Sequence, residues 1–193
     1  IRKDREDKAA GGVVMYIKNS IKYIPRPDII TDDSLEMIWV ELVSKNNKSN
    51  VLLSVIYRPP NANCKYYDDL LDTIEKAKSE NKEIVIAGDM NYNYVFDDKL
   101  YSHPIFVIEK LFSLKQLIKT PTRVTKTSST LLDVILTSCD KRHTISGVYK
   151  STMSDHYFIF TCLDTSYVHK PHNEVKFRCY KHFNLTKCLR DFT

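Results

Sequence analysis

Residues 83–89 read EIVIAGD, and this short run constrains the chain more than any other. Ile84, Val85, Ile86 and Ala87 are consecutive, so a strand built from them is apolar on both faces. Such a strand belongs inside a sheet whose two sides are both covered. The neighbouring segments supply the covers. YYDDLLDTIEKAKSEN (66–81) places Leu70, Leu71, Ile74 and Ala77 at helical spacing. PIFVIEKLFSLKQLI (104–118) opens on a proline suited to a helix start and repeats apolar residues along one face, predicting a second helix. Further strands are predicted over EMIWVELV (36–43), over NVLLSVIYRPP (50–60) up to its double proline, over TLLDVILTS (130–138), and in the alternating YFIF segment after Ser154-Asp155-His156. GGVVMYIKNSIKYIP (11–25) reads as a hairpin turning at Asn19-Ser20. Hairpins early and helical crossovers later predict mixed sheets covered by helices, an α/β class.

Composition narrows the partners. A hydrophobic content of 42% over 193 residues supports a real core and excludes a disordered chain. No apolar run approaches the ~18 residues of a membrane helix, so no membrane partner is expected. IRKDREDKAA at the start is charged and does not read as a signal peptide. The chain begins with Ile, which reads as a processed product, an excised piece or an incomplete reading frame. Five cysteines, an odd number without a CxxC pair, favour reduced thiols and an intracellular protein. Residues 166–193 hold six Lys/Arg against Glu174 and Asp191, which leaves 23 basic and 22 acidic residues in the first 165. The body is nearly neutral, and bulk charge gives it no argument for nucleic-acid binding. We read 1–165 as the folded domain and 166–193 as a basic tail or linker.

Four strands end in, or contain, polar groups that a core strand would not select: Tyr57 and Arg58, Asp89 and Asn91, Asp133, and Asp155 with His156. An acid inside an apolar strand needs a partner. For Asp133 a histidine is the obvious one and Arg123 another. Taken alone, GDxN is an ordinary turn and SDH an ordinary cap. Gathered at one sheet end, the set can hydrolyse a phosphodiester. An Asp oriented by an amide holds or deprotonates water. A His held by a second Asp donates to phosphate oxygens. A further Asp binds Mg²⁺, which neutralises developing charge, and a Tyr hydroxyl adds a hydrogen bond to phosphate.

The order Tyr-x-Pro, Gly-Asp-x-Asn, in-strand Asp, Ser-Asp-His resembles the endonuclease/exonuclease/phosphatase superfamily. GGVVMYIKNSI, VIYRPPNA, IVIAGDMNYN, LIKTPTRVTKTSSTLLDVILTS and MSDHYFIF resemble in particular the endonuclease domains of non-LTR retrotransposons, from about Gly11 to Cys162. VKFRCYKHFNLTKCLRDF resembles the segment that precedes reverse transcriptase in such polyproteins. The resemblance implies a four-layered α/β sandwich of two mixed sheets. It implies a Mg²⁺-dependent endonuclease (Mn²⁺ as a substitute) that nicks target DNA in the nucleus to prime reverse transcription. It implies DNA and a reverse transcriptase in the same polyprotein as partners, and a monomer. By position, Asp89 would orient or deprotonate the water, Asn91 hold Asp89 and the phosphate, Tyr57 contact the scissile phosphate, Asp133 orient His156, His156 stabilise the transition state, and Asp155 lie beside the metal. Arg58, Thr122, Arg123 and Lys126 are the candidate nucleic-acid contacts, the last three within the basic, hydroxyl-rich segment 119–130. The family pattern carries an Asn and a principal metal-binding Glu on strands before the GGV segment. Glu6 lacks that context, and Glu36 and Glu41 follow the segment. The expectation is therefore an incomplete domain, lacking the first strands and impaired as a nuclease.

Other readings rest on weaker signals. His169, His172, Cys179, His182 and Cys188 offer zinc ligands, but in irregular order and without CxxC anchors. No Gly-x-Ser-x-Gly elbow points to a serine hydrolase. A non-catalytic nucleic-acid-binding remnant, or a phosphatase or phosphodiesterase on the same fold, is the alternative function.

Overall fold

The 50–57 strand and the 83–89 strand lie side by side in parallel, and the chain must cross over between them. In the computed structural model, which describes residues 1–5, 11–44, 50–94 and 104–164, the crossover is a helix. The strands are β1 (Arg2–Lys3), β2 (Val13–Val14), β3 (Tyr23–Pro25), β4 (Glu36–Leu42), β5 (Val51–Tyr57), β6 (Glu83–Asp89), β7 (Lys115–Gln116), β8 (Arg123–Val124), β9 (Ser129–Thr130), β10 (Asp133–Thr137), β11 (His143–Tyr149) and β12 (Phe158–Leu163). The helices are α1 (Cys64–Ser79) and α2 (Pro104–Phe112). A mixed six-stranded sheet runs β3-β4-β5-β6-β10-β7. Only β5 and β6 pair in parallel; the other neighbours are antiparallel.

Asn63 starts α1 by accepting the Tyr66 N–H at 3.0 Å, a side-chain N-cap. Alternation along the strands then sorts the core. Met37, Trp39, Leu52, Ile56, Ile84 and Ile86 join Leu70, Ile74 and Ala77 of α1 and Ile105, Ile108 and Phe112 of α2 in the main core. Ile38, Val40, Val55 and Tyr57 point to the other face, where Val13 and Met15 of the β1–β2 ribbon cover them. The β11–β12 hairpin lies on that second face too. Its Val148, Ile159 and Leu163 pack on the core, and its His143 ring nitrogens lie 2.9 and 2.8 Å from the Thr137 and Thr161 hydroxyls. The predicted class is present: α/β, mixed sheet, helices outside.

Three local expectations need correction. Residues 11–25 do not form one hairpin. The turn at Lys18–Ile21 exists, but β2 pairs with β1 and β3 pairs with β4, so the flanking runs enter different sheets. The second helix stops at Phe112, not 118, because Ser113 adopts φ 51° and Lys115–Gln116 pair with β10. The Gln116 side-chain Oε1 accepts the Ile135 N–H at 2.9 Å, a tertiary contact that outweighs helical propensity. The strand predicted at 130–138 is split, with Ser129–Thr130 pairing with β8 and Asp133–Thr137 entering the main sheet. Glu6, the 166–193 tail and its His/Cys set lie outside the described residues. Among the described residues, no helix is long and apolar enough to cross a membrane, and Cys64 and Cys162 are free thiols.

Candidate active site

One row of paired residues crosses four strands of the main sheet. Glu36 on β4 faces Tyr57 on β5, Tyr57 faces Asp89 on β6, and Asp89 faces Asp133 on β10. Directly paired residues project to the same face, so the row brings four polar side chains to one side at one sheet end. Register therefore explains why the apolar strand β6 ends on an acid.

Asp89 ends β6 after Gly88, whose φ is 150°; a Cβ there would lie 1.8 Å from the Ile56 carbonyl oxygen. Only glycine lets β5 approach so closely at this point. Asn91 then turns the chain with φ 47°, a left-handed conformation that Asn tolerates. It holds the acid it follows: its backbone N–H donates to Asp89 Oδ1 at 2.8 Å and its side-chain amide to Oδ2 at 3.3 Å. The same amide donates to the Arg58 carbonyl at 2.9 Å, which ties the turn to β5. Burial pushes the Asp89 carboxyl above the usual carboxylate range, and the neighbouring Asp133 adds to the rise. The Asn91 N–H, His156 and Arg123 oppose it.

Asp133 begins β10, and its Oδ2 accepts a hydrogen bond from His156 Nδ1 at 3.0 Å. A carboxylate only accepts, so Nδ1 carries the proton and Nε2 is left facing away from Asp133. A short splint made of residues 122–124 brings the two together. Arg123 forms a bridge with His156, Val124 N–H donates to the Asp155 carbonyl at 3.0 Å, and Tyr157 N–H donates to the Thr122 carbonyl at 2.7 Å. One ligand atom each from Asp89, Asp133 and His156 lie within 4.8 Å of one another, and all three residues are half-buried. Of the expected residues, the structure thus joins Asp89, Asn91, Asp133 and His156 directly, with Tyr57 next to Asp89 in the row.

The expected periphery is arranged differently. Asp155, expected beside a metal, instead pairs with Arg123, whose Nε lies 2.7 Å from its Oδ2; this pair is exposed and holds the Asp155 carboxyl below the usual range. Arg58, expected at nucleic acid, is buried instead. It is 4% exposed, donates to the Met90 and Ala62 carbonyls and stacks 3.8 Å over the Tyr92 ring, so it braces the loop after β6. Thr122 is likewise buried, and its hydroxyl accepts the N–H groups of Leu132 and Asp133 at 3.1 and 3.0 Å, which leaves it for the backbone rather than for phosphate. Lys126 is exposed at the tip of the β8–β9 hairpin. Sequence reasoning set Glu36 aside. It is a buried acid opening an apolar strand, the same signal that drew attention to Asp133.

Comparison with known proteins bears on the same strands. Residues 51–160 match the family model described as Endonuclease-reverse transcriptase. The chain belongs to this endonuclease-reverse transcriptase family, within the endonuclease/exonuclease/phosphatase superfamily. No curated protein matches it. Among solved structures, this family member is similar in fold to the endonuclease domain of TRAS1, a telomere-specific non-LTR retrotransposon. That similarity has a TM-score of 0.57 at 18% identity and covers 71% of this chain and 64% of that one. The chain thus spans less than two thirds of that domain. An endonuclease/exonuclease/phosphatase family protein from Leptotrichia buccalis aligns with a TM-score of 0.49 at 14% identity, over 66% of this chain and 52% of that one. The 3′ phosphatase NExo from Neisseria, bound to product DNA hairpin, aligns with a TM-score of 0.47 at 11% identity, over 77% and 72% of the two chains.

The donor set of the endonuclease-reverse transcriptase site fits a hard divalent cation. Two half-buried carboxylates face each other across β6 and β10, and the Asp133 charge raises the cost of ionising Asp89. A cation shared by Asp89 and Asp133 removes that cost, and Mg²⁺ characteristically takes one or two carboxylates together with substrate phosphate oxygens.

Proposed function

We propose that this chain hydrolyses a phosphodiester bond of DNA, as the nicking endonuclease of a non-LTR retrotransposon. The observation that carries the reading is the Asp133–His156 hydrogen bond of 3.0 Å with the Asp89 carboxylate alongside it. Asp89, whose proton affinity is raised by burial, accepts the proton of the attacking water, while Asn91 fixes both of its oxygens. As water adds to phosphorus, one P–O ester bond breaks, the leaving sugar oxygen takes up a proton from solvent, and charge grows on the phosphate oxygens. His156, held through Nδ1 by Asp133, presents Nε2 to that charge, and the imidazolium form donates there. Tyr57 donates its hydroxyl to the phosphate from the adjacent strand. Asp89 and Asp133 would hold Mg²⁺ or Mn²⁺, which supplies charge neutralisation at the phosphate. Arg123 and Lys126 of the β8–β9 hairpin would contact backbone phosphates of a longer duplex.

The family name and the sequence order support a place in a polyprotein beside a reverse transcriptase, with nicking in the nucleus priming DNA synthesis. On this reading residues 1–165 act on DNA as a monomeric unit, and the basic 166–193 stretch leads toward the polymerase. The test is nicking of supercoiled plasmid in Mg²⁺ and in Mn²⁺. Nicking that falls about a hundredfold or more in His156→Ala and in Asp89→Asn supports the reading. Salt-dependent DNA binding without nicking, or nicking indifferent to both substitutions, overturns it.

A further inference from the structure

We propose that Glu36 and Arg5 form a positioning unit that holds the Tyr57 ring at the reacting phosphate; this rests on the phosphodiester reading above. Glu36 is only 8% exposed and sits directly across from Tyr57 in the β4–β5 register. A buried carboxylate demands partners, and this one has a full set. Arg5 Nε donates to its Oε1 at 2.7 Å, Arg5 Nη2 lies 2.7 Å from the same oxygen, and the Gly12 N–H donates to Oε2 at 2.9 Å. The guanidinium so anchored lies with its central carbon 5.5 Å from the centre of the Tyr57 ring, within cation–π range. The Tyr57 backbone is fixed as well, since the Tyr66 hydroxyl donates to its carbonyl at 3.0 Å.

The Gly-Gly opening of the GGV motif follows from this seat. Gly11 has φ 112°, and a Cβ on it would lie 2.4 Å from the Arg5 guanidinium carbon. A side chain there would push Arg5 off Glu36. Gly12 then presents its N–H to the carboxylate. The motif thus links the Arg5 segment to the first strand in the row Glu36–Tyr57–Asp89–Asp133. Both carboxylate oxygens of Glu36 are engaged by cationic or N–H donors, so Glu36 acts through its neighbours, not as a metal ligand.

The experiment combines a double-mutant cycle with a spectroscopic probe. Tyr57→Phe and Glu36→Gln should each lower the plasmid-nicking rate constant about tenfold, the scale of one hydrogen bond to a charged group. The double variant should also lose about tenfold, because both changes remove the same interaction. Independently of nicking, 3-fluorotyrosine is placed at residue 57 and its ¹⁹F resonance recorded. The resonance should move in Glu36→Gln and in Arg5→Gln and stay fixed in Glu41→Gln, a buried acid of the same strand whose partners are Arg26, Lys82 and Asn50. A purely structural Glu36 would give multiplicative losses near a hundredfold and an unmoved resonance, and either result overturns the proposal. Wild-type protein that does not cut DNA overturns the functional reading instead, and the ¹⁹F measurement alone then decides the positioning.

Discussion

Arg142 and Glu83 form a buried ion pair at the far end of the main sheet, and breaking it should destabilise the protein without touching its chemistry. The two side chains are 2% and 1% exposed, and Arg142 Nη1 lies 2.7 Å from Glu83 Oε2. Arg142 Nε also donates to the Asp164 carbonyl at 2.7 Å, so the pair ties the start of β6 to both ends of the β11–β12 hairpin. At an effective dielectric constant near 20, unit charges about 4 Å apart attract by about 4 kcal/mol. Removing one partner of such a pair characteristically costs about 3–5 kcal/mol, because the other charge stays buried. Glu83→Gln should therefore lower Tm by ~6–20 °C for a chain of this size. Glu83 stands six residues before Asp89 on β6, or about 20 Å away. The nicking rate constant measured below the new Tm should accordingly match that of wild type. The double variant Glu83→Leu/Arg142→Met removes both charges and should recover most of the loss. Denaturant titration and calorimetry give both numbers. A single-variant cost below about 1 kcal/mol, or a double variant as unstable as the sum of the singles, would refute the reasoning.

The remaining predictions concern pH, the backbone splint and the cation. Burial, reinforced by the nearby Arg142 charge, holds the His143 imidazole below its ordinary range against a weaker pull from Asp140. The unfolded chain therefore takes up a proton near pH 6.5 while the folded protein does not, and stability falls as pH drops below that value. Urea midpoints at pH 7.5 and 5.5 should show the fall, and His143→Gln should reduce it. Thr122→Val leaves the Leu132 and Asp133 N–H groups without the hydroxyl they donate to, at a cost of about 1–3 kcal/mol each. Thr122→Ser should cost far less in the same denaturation assay. Adding Mg²⁺ at about ten times its Kd should stabilise the wild type by about 1.4 kcal/mol, and Asp89→Asn/Asp133→Asn should abolish the rise in Tm.

Much of this protein is legible in local pattern. The two-sided run at 84–87 requires an interior strand, Leu70, Ile74 and Ala77 require a helix to cover it, and Pro59-Pro60 ends β5 where the structure ends it. These follow from side-chain periodicity and backbone sterics, which act over a few residues. The polar residues at strand ends are visible in the same way, as misfits that need partners, and the sequence order of Tyr57, Asp89, Asp133 and His156 is enough to suggest their chemistry. What no local pattern contains is which misfits meet. Asp133 has both His156 and Arg123 as candidates, and it is the bridge between Arg123 and His156 that gives the imidazole to Asp133 and sends the guanidinium to Asp155. Arg58 and Thr122 look like surface contacts in sequence and are buried in fact, because their donors and acceptors are spent on backbone groups distant along the chain. Glu36 looks misplaced until register sets it across from Tyr57. Pairing register and burial arise from long-range packing, so only the folded sheet assigns each polar group its partner.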